Sequence, residues 1–277
     1  MREAAYDIDG PADGPPIVFI HGTRLTGSMW LAQMDDLRDA YRVIAVDLPG
    51  HGRLADRRFT LVGAADAVAD AIQTAAGGQA VVVGLSLGGY VAMDLVARRP
   101  ELVRGLVLAG ATAEPVGMIA MPFRALAWVM DRFDGPELDA FNAWFFRTRF
   151  PAALSGPIIA SGFWSAAGAQ ALRAVVGERF QPRLAGYPGS TLILNGEWDA
   201  LFRPGAGAFA RAAQDARRVR LGGATHLANL DRPRAFSLAV RRFVESLPAP
   251  DPATGRPGVD RREEGPVLDL ADSSRVP

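Results

Sequence analysis

The run Gln79-Ala80-Val81-Val82-Val83-Gly84-Leu85-Ser86-Leu87-Gly88-Gly89-Tyr90 passes from an apolar strand pattern, through a serine, into a helical one. A short, uninterrupted apolar run such as Ala80–Val83 is what a strand buried on both faces requires. From Leu87 the sequence continues Tyr90-Val91-Ala92-Met93-Asp94-Leu95-Val96-Ala97, a helix former throughout. No residues are left over for a loop, so Ser86 stands at the apex of a sharp strand-to-helix turn, its backbone strained and its hydroxyl held above the sheet. Side chains at the flanking positions would strike the neighbouring strand and helix, which makes glycine the physical choice at Gly84 and Gly88. That is how a nucleophile is presented. With 30 glycines in 277 residues the five-residue match alone is weak, and its context has to carry the reading.

A nucleophilic serine needs a base within hydrogen-bond reach, and the base needs an acid to orient it. The chain has three histidines, His21, His51 and His226. The first two precede Ser86, each followed by glycine; His226 lies late, in Gly222-Gly223-Ala224-Thr225-His226-Leu227. For the acid, Leu192-Ile193-Leu194-Asn195-Gly196-Glu197-Trp198-Asp199 reads as a buried strand running into a carboxylate loop. Asp199 is the chosen acid, with Glu197 as its nearest rival and Glu114 as a more distant one. Ser86, Asp199 and His226 then follow one another in nucleophile–acid–base order. His21 and His51 are assigned to structural turns, and Asp47 to a loop or a helix cap.

Four landmarks in sequence order carry a family resemblance. They are His21-Gly22 after Ile17-Val18-Phe19-Ile20; Asp47-Leu48-Pro49-Gly50-His51-Gly52 after Tyr41-Arg42-Val43-Ile44-Ala45-Val46; the serine turn; and Asn195-Gly196-Glu197-Trp198-Asp199 with Ala224-Thr225-His226. Between roughly residues 17 and 247 the chain resembles the α/β-hydrolase superfamily in its serine-nucleophile, cap-bearing branch. Thr225 departs mildly from the family, which more often has glycine before the histidine. The resemblance implies an α/β-hydrolase fold, a mostly parallel central sheet flanked by helices with a helical cap insertion. Residues 1–110 and 189–247 would form the core and 111–188 the cap roofing the site, with 248–277 a Pro-rich, charged, disordered tail.

The resemblance also implies the chemistry. Ser86 would attack an acyl carbon, His226 would take its proton, and Asp199 would hold the imidazole. The backbone N–H groups of Leu87, at the head of the elbow helix, and of Thr23 would receive the oxyanion. The leading expectation is hydrolysis of a small carboxylic ester or lactone, with no metal and no cofactor. A C–C (diketone) hydrolase, a perhydrolase or an acyltransferase would share the triad, and a small-molecule receptor on the same scaffold is the rival from another class. Epoxide hydrolases and haloalkane dehalogenases resemble this fold but place aspartate where Ser86 stands. Arg24 either grips a substrate carboxylate in a bidentate pair or points to solvent or a nearby carboxylate; the second reading is preferred. Arg24, Trp128 and Trp144 are the substrate-contact candidates.

Composition narrows the field further. The 30 basic and 30 acidic residues cancel, so no nucleic acid or other polyanion partner is expected, and every basic residue is arginine. The absence of cysteine removes thiol catalysis and disulfides. No apolar run is long enough for a membrane span, and the polar N-terminus lacks a signal-peptide core, so a cytoplasmic protein acting on a small molecule is expected. After a short N-terminal strand, strands are predicted near 17–21, 41–46, 79–84, 104–109, 190–195 and 217–221. Helices are predicted near 28–39, 60–76, 87–98, 204–213 and 233–246. The interval 111–188 shows only helical spacing, as in Phe123, Leu126, Ala127 and Met130.

Overall fold

Along the central strand, alternate side chains enter opposite halves of the interior: Ala80 and Val82 belong to one buried cluster, Val81, Val83 and Leu85 to the other. A strand apolar on both faces has to be covered on both faces, which fixes the layering as helix–sheet–helix. The computed structural model describes residues 4–248 and 268–270. Its strands are β1 (Tyr6–Asp9), β2 (Pro16–Ile20), β3 (Arg42–Val46), β4 (Ala80–Leu85), β5 (Val103–Ala109), β6 (Ser190–Gly196), β7 (Asp215–Leu221) and β8 (Leu268–Leu270). They form one sheet in the order β1-β3-β2-β4-β5-β6-β7-β8. Only β1 runs antiparallel to its neighbour; every other pairing is parallel.

Helices α1 (Leu31–Leu37) and α11 (Pro233–Ser246) cover one face, and α2 (Leu61–Ala75), α3 (Leu87–Arg98) and α9 (Ala206–Ala212) the other. Trp30 locks the first layer: its ring lies 5.0 Å from that of Phe19 on β2 and 5.6 Å from that of Phe236 on α11. α10 (Ala228–Asp231) directly follows the histidine loop.

Between β5 and β6 stand five helices: α4 (Ala120–Arg132), α5 (Pro136–Arg149), α6 (Ala152–Ala160), α7 (Ser165–Val175) and α8 (Gln181–Ala185). This is the cap. Its seating follows from its apolar stripes, with Phe123, Ala127 and Met130 of α4 and Leu172 and Val175 of α7 joining one body cluster and Phe146, Phe150 and Ile158 joining the other. Glu114, at the start of the cap, receives three backbone N–H bonds from Phe180 and Gln181 at 2.9–3.0 Å, closing the insertion on itself. Of the tail 248–277 expected to be disordered, only Pro248 and Leu268–Leu270 lie among the described residues, and both are ordered against the expectation. Pro248 O accepts from Arg104 at 3.3 Å, and the backbone of Leu268–Leu270 pairs in parallel with β7 because its carbonyls and amides complete that strand's open edge. No helix among the described residues is long and apolar enough to cross a membrane.

Candidate active site

The carboxyl ends of β2, β4 and β6, together with the cap, enclose a cleft of about 500 Å³. Ser86, Asp199 and His226 all line it. Ser86 occupies the step between β4 and α3 with φ +55° and ψ −116°, a left-handed conformation that a residue with a Cβ takes only when its surroundings impose it. The imposing surroundings are specific. A Cβ at Gly84 would stand 2.3 Å from the carbonyl oxygen of Gly88, and one at Gly88 would stand 2.2 Å from that of Ile20. The Ser86 N–H is spent on Ala109 O of the next strand at 2.8 Å.

Across the cleft, Nδ1 of His226 lies 3.0 Å from Oδ2 of Asp199. A carboxylate can only accept, so the proton sits on Nδ1 and the lone pair of Nε2 is left free. Asp199 is 3% exposed, and its other oxygen receives the N–H of Phe202 at 3.2 Å. Both rival acids are elsewhere: Glu197 caps the Gly223 N–H at 2.8 Å, and Glu114 serves the cap. Asp47 is structural, accepting from Gly27 N and Arg53 N. The N–H groups of Thr23 and Leu87 donate to no backbone acceptor among the described residues, and Leu87 is the first residue of α3.

His21 and His51 are wholly buried beneath the site, their rings 5.0 Å apart. Nε2 of His21 accepts the Leu48 N–H at 2.9 Å, so Nδ1 must be the nitrogen that donates, to Gly22 O at 2.8 Å. Burial pulls the pKa of His21 down to about 4 and that of His51 to about 3, the neighbouring His21 adding to the second shift. Both are neutral fixtures: His21 ties the two loops together through the Leu48 N–H, while His51 bonds Pro49 O of its own turn and packs on the His21 ring.

Two of the three substrate-contact candidates are not brought to the cleft. Trp128 is 61% exposed and Trp144 57% exposed, and neither lines it. Helical phase is the reason. On α4 the inward residues are Phe123, Ala127 and Met130, and on α5 they are Asn142 and Phe146, which turns both tryptophans outward. They pair instead with Phe133 and Phe141 on the cap surface. Arg24 behaves contrary to its preferred reading: it lines the cleft, and its guanidinium has no hydrogen bond or ion pair among the described residues.

Phe202, Gly110 and Asp231 escaped sequence reasoning, whereas an aromatic lining from the cap is what the apolar spacing there leads one to expect. Phe202 stacks on the His226 ring, centroids 4.7 Å apart and planes within 15°. Gly110, with φ +52°, leaves room for the pair, since a Cβ there would stand 2.9 Å from His226 Nδ1 and 3.1 Å from Asp199 Oδ2. Asp231 accepts both the N–H and the hydroxyl of Thr225 at 2.6 Å and pairs with Arg149 of α5, so the cap is fastened to the histidine loop. Phe123, Leu126, Phe145 and Phe146 from the cap and Leu201 and Leu227 from the body give the cleft an apolar wall. No three His, Asp or Glu side chains gather as a metal site among the described residues.

Comparison with known proteins agrees with this fold. The model of the alpha/beta hydrolase family matches residues 17–239. A pimeloyl-[acyl-carrier protein] methyl ester esterase of Nitrosospira multiformis is 25% identical over 262 residues, 88% of this chain and 100% of that one. Its namesake in Chromobacterium violaceum is 42% identical over a shorter stretch, 34% of this chain and 36% of its own. Among solved structures, a hydrolase from Pseudomonas aeruginosa PA01 superposes with a TM-score of 0.72 at 28% identity, covering 87% of this chain and 94% of that one. An E-2-(acetamidomethylene)succinate hydrolase superposes at 0.75 with 25% identity, covering 87% and 94%. With the serine turn, the histidine loop and the inserted helices all in place, the chain belongs to the α/β-hydrolase family, as a member with a helical cap.

Proposed function

We propose that the protein is a serine hydrolase cleaving a small carboxylic ester or lactone through an acyl-enzyme on Ser86. Oγ of Ser86 attacks the acyl carbon as Nε2 of His226 takes its proton, and Asp199 keeps the Nδ1 proton in place and stabilises the imidazolium. The carbonyl oxygen becomes an oxyanion received by the N–H groups of Leu87 and Thr23, donors worth about 10²–10³ each in rate. The imidazolium then protonates the leaving alkoxide. Water, deprotonated in turn by Nε2, attacks the acyl carbon, and collapse returns the proton to Oγ with release of the acid. Ser86 and His226 have no hydrogen bond between them in the free protein; such contacts commonly tighten only once substrate is bound.

One observation carries this reading: a left-handed serine and an oriented Asp199–His226 pair open into the same apolar cleft. A pure binding scaffold has no need of all three. Support for an ester rather than another acyl compound comes from the relatives called methyl ester esterases. The cleft's aromatic and aliphatic wall suits an apolar acyl or alcohol group.

Initial rates on a chain-length series of p-nitrophenyl esters, with Ser86→Ala beside the wild type, test the proposal. Turnover of short or medium acyl esters should fall by about 10³-fold or more in the variant. Activity that survives in Ser86→Ala overturns it. So does a wild-type protein that neither turns over any ester nor is labelled at Ser86 by a fluorophosphonate, which points to a receptor.

A further inference from the structure

Among the described residues, only Arg24 and Ser86 combine a side chain with a positive φ, +57° and +55°. Both line the same cleft. Arg24 is the third residue of the turn Gly22–Leu25, closed by Leu25 N to Gly22 O at 3.4 Å, a place where glycine or asparagine is the unstrained choice. Holding a long cationic side chain there is a conformational cost that no contact within the protein offsets, because the guanidinium has no acceptor among the described residues.

The surroundings hold its backbone in place. The carbonyl of Arg24 receives the Trp164 N–H of the cap at 3.0 Å. Gly168 of α7 leaves the space that the turn occupies: a Cβ there would stand 2.9 Å from Thr23 Oγ1, 3.1 Å from the Met130 sulfur and 3.3 Å from Arg24 Cβ. Beside it, the Thr23 hydroxyl is buried without a partner. Among the described residues only one carboxylate lines the cleft, that of Asp199, and it is already committed to His226 and the Phe202 N–H. Desolvation lowers the pKa of Arg24, yet arginine keeps its charge. The cleft that Ser86 lines therefore also holds a lone, partly desolvated cation in an apolar wall.

We propose that Arg24 is the anion anchor of the substrate: the ester or lactone cleaved at Ser86 carries a free carboxylate, held by the guanidinium with the Thr23 hydroxyl beside it. This rests on the hydrolase reading above and deepens it. A carboxylate fits better than a phosphate ester, because one guanidinium fork matches one carboxylate in charge and geometry, whereas a dianion in this apolar setting would be left half-neutralised.

Paired substrates test the proposal: monomethyl esters of the linear diacids from succinic to suberic, each against the methyl ester of the corresponding monoacid. The wild type should favour the acid-bearing member, as the ratio of kcat/KM values, at one chain length or more. In Arg24→Gln that ratio should fall about tenfold or more, and Arg24→Lys should restore part of it by returning charge without the fork. Taking a ratio within one variant cancels any general loss of fold. Calorimetric titration of Ser86→Ala with the diacids themselves measures the anchor without turnover. Binding should appear there and weaken about tenfold or more in Ser86→Ala combined with Arg24→Gln. An unchanged ratio, a preference for neutral esters at every length, absent or Arg24-independent diacid binding, or tighter binding of hexyl phosphate would each overturn the assignment. If Ser86→Ala cleaves the esters as fast as the wild type, the hydrolase reading fails, while the titration still judges Arg24.

Discussion

A methyl group at position 110 would press on both Nδ1 of His226 and Oδ2 of Asp199, on a backbone already at φ +52°. Gly110→Ala should therefore lower kcat on p-nitrophenyl esters by about 10²-fold, the scale of an ångström's misplacement in a reacting group, while the protein stays folded. Stopped assays beside circular dichroism separate the two effects. Asp199→Asn should cost about 10⁴-fold in kcat, by analogy with the serine-protease triad, because an amide stabilises the wrong imidazole tautomer. Glu197→Gln, whose carboxylate only caps the Gly223 N–H, should leave kcat within about twofold, a surface-type change. Ser86, Asp199 and His226 could be singled out as candidates because their chemistry is written in their own side chains and in the strands that precede them, and the structure brings all three to one cleft. Gly110 and Phe202 could not, since each matters only through a contact with a residue far along the chain.

At the scale of elements, strand and helix periods were legible nearly to the residue: the helices predicted at 87–98 and 233–246 are α3 and α11 as observed. The cap resisted for a physical reason. α4 is apolar on more than one side, so spacing identifies a helix without saying which stripe meets the body, which the cleft, and which solvent. Trp128 and Trp144 fell on the outer side. Replacing both with serine should leave kcat/KM on neutral esters within about twofold, as expected for residues away from cleft and core. Phe146 is the opposite case, buried among Phe145, Phe150 and Phe163 while also lining the cleft. Phe146→Ala should lower unfolding free energy by about 3–5 kcal/mol in urea melts, the usual cost of emptying an aromatic site in a core.

Across the whole molecule, the two buried histidines couple stability to pH. Their ordinary pKa is 6.5, and in the fold it drops to about 4 for His21 and about 3 for His51. Below pH 6.5 the unfolded chain binds protons that the folded one refuses, so stability is complete above that pH and drains away towards pH 4 and then 3. Protonating His21 would also set an N–H against the Leu48 N–H that Nε2 now accepts. The urea midpoint should fall between pH 6.5 and 5, and His21→Gln should flatten that slope while lowering the midpoint at pH 7.5. None of this was visible in composition, where three histidines in a chain of zero net charge look inert. The bond from Arg149 to Asp231, and from Asp231 to Thr225, has a consequence of another kind. Any displacement of α5 would be passed through Asp231 to Thr225, the residue next to His226. Position of the roof and position of the base are thereby tied through one carboxylate, so neither can be reset without the other.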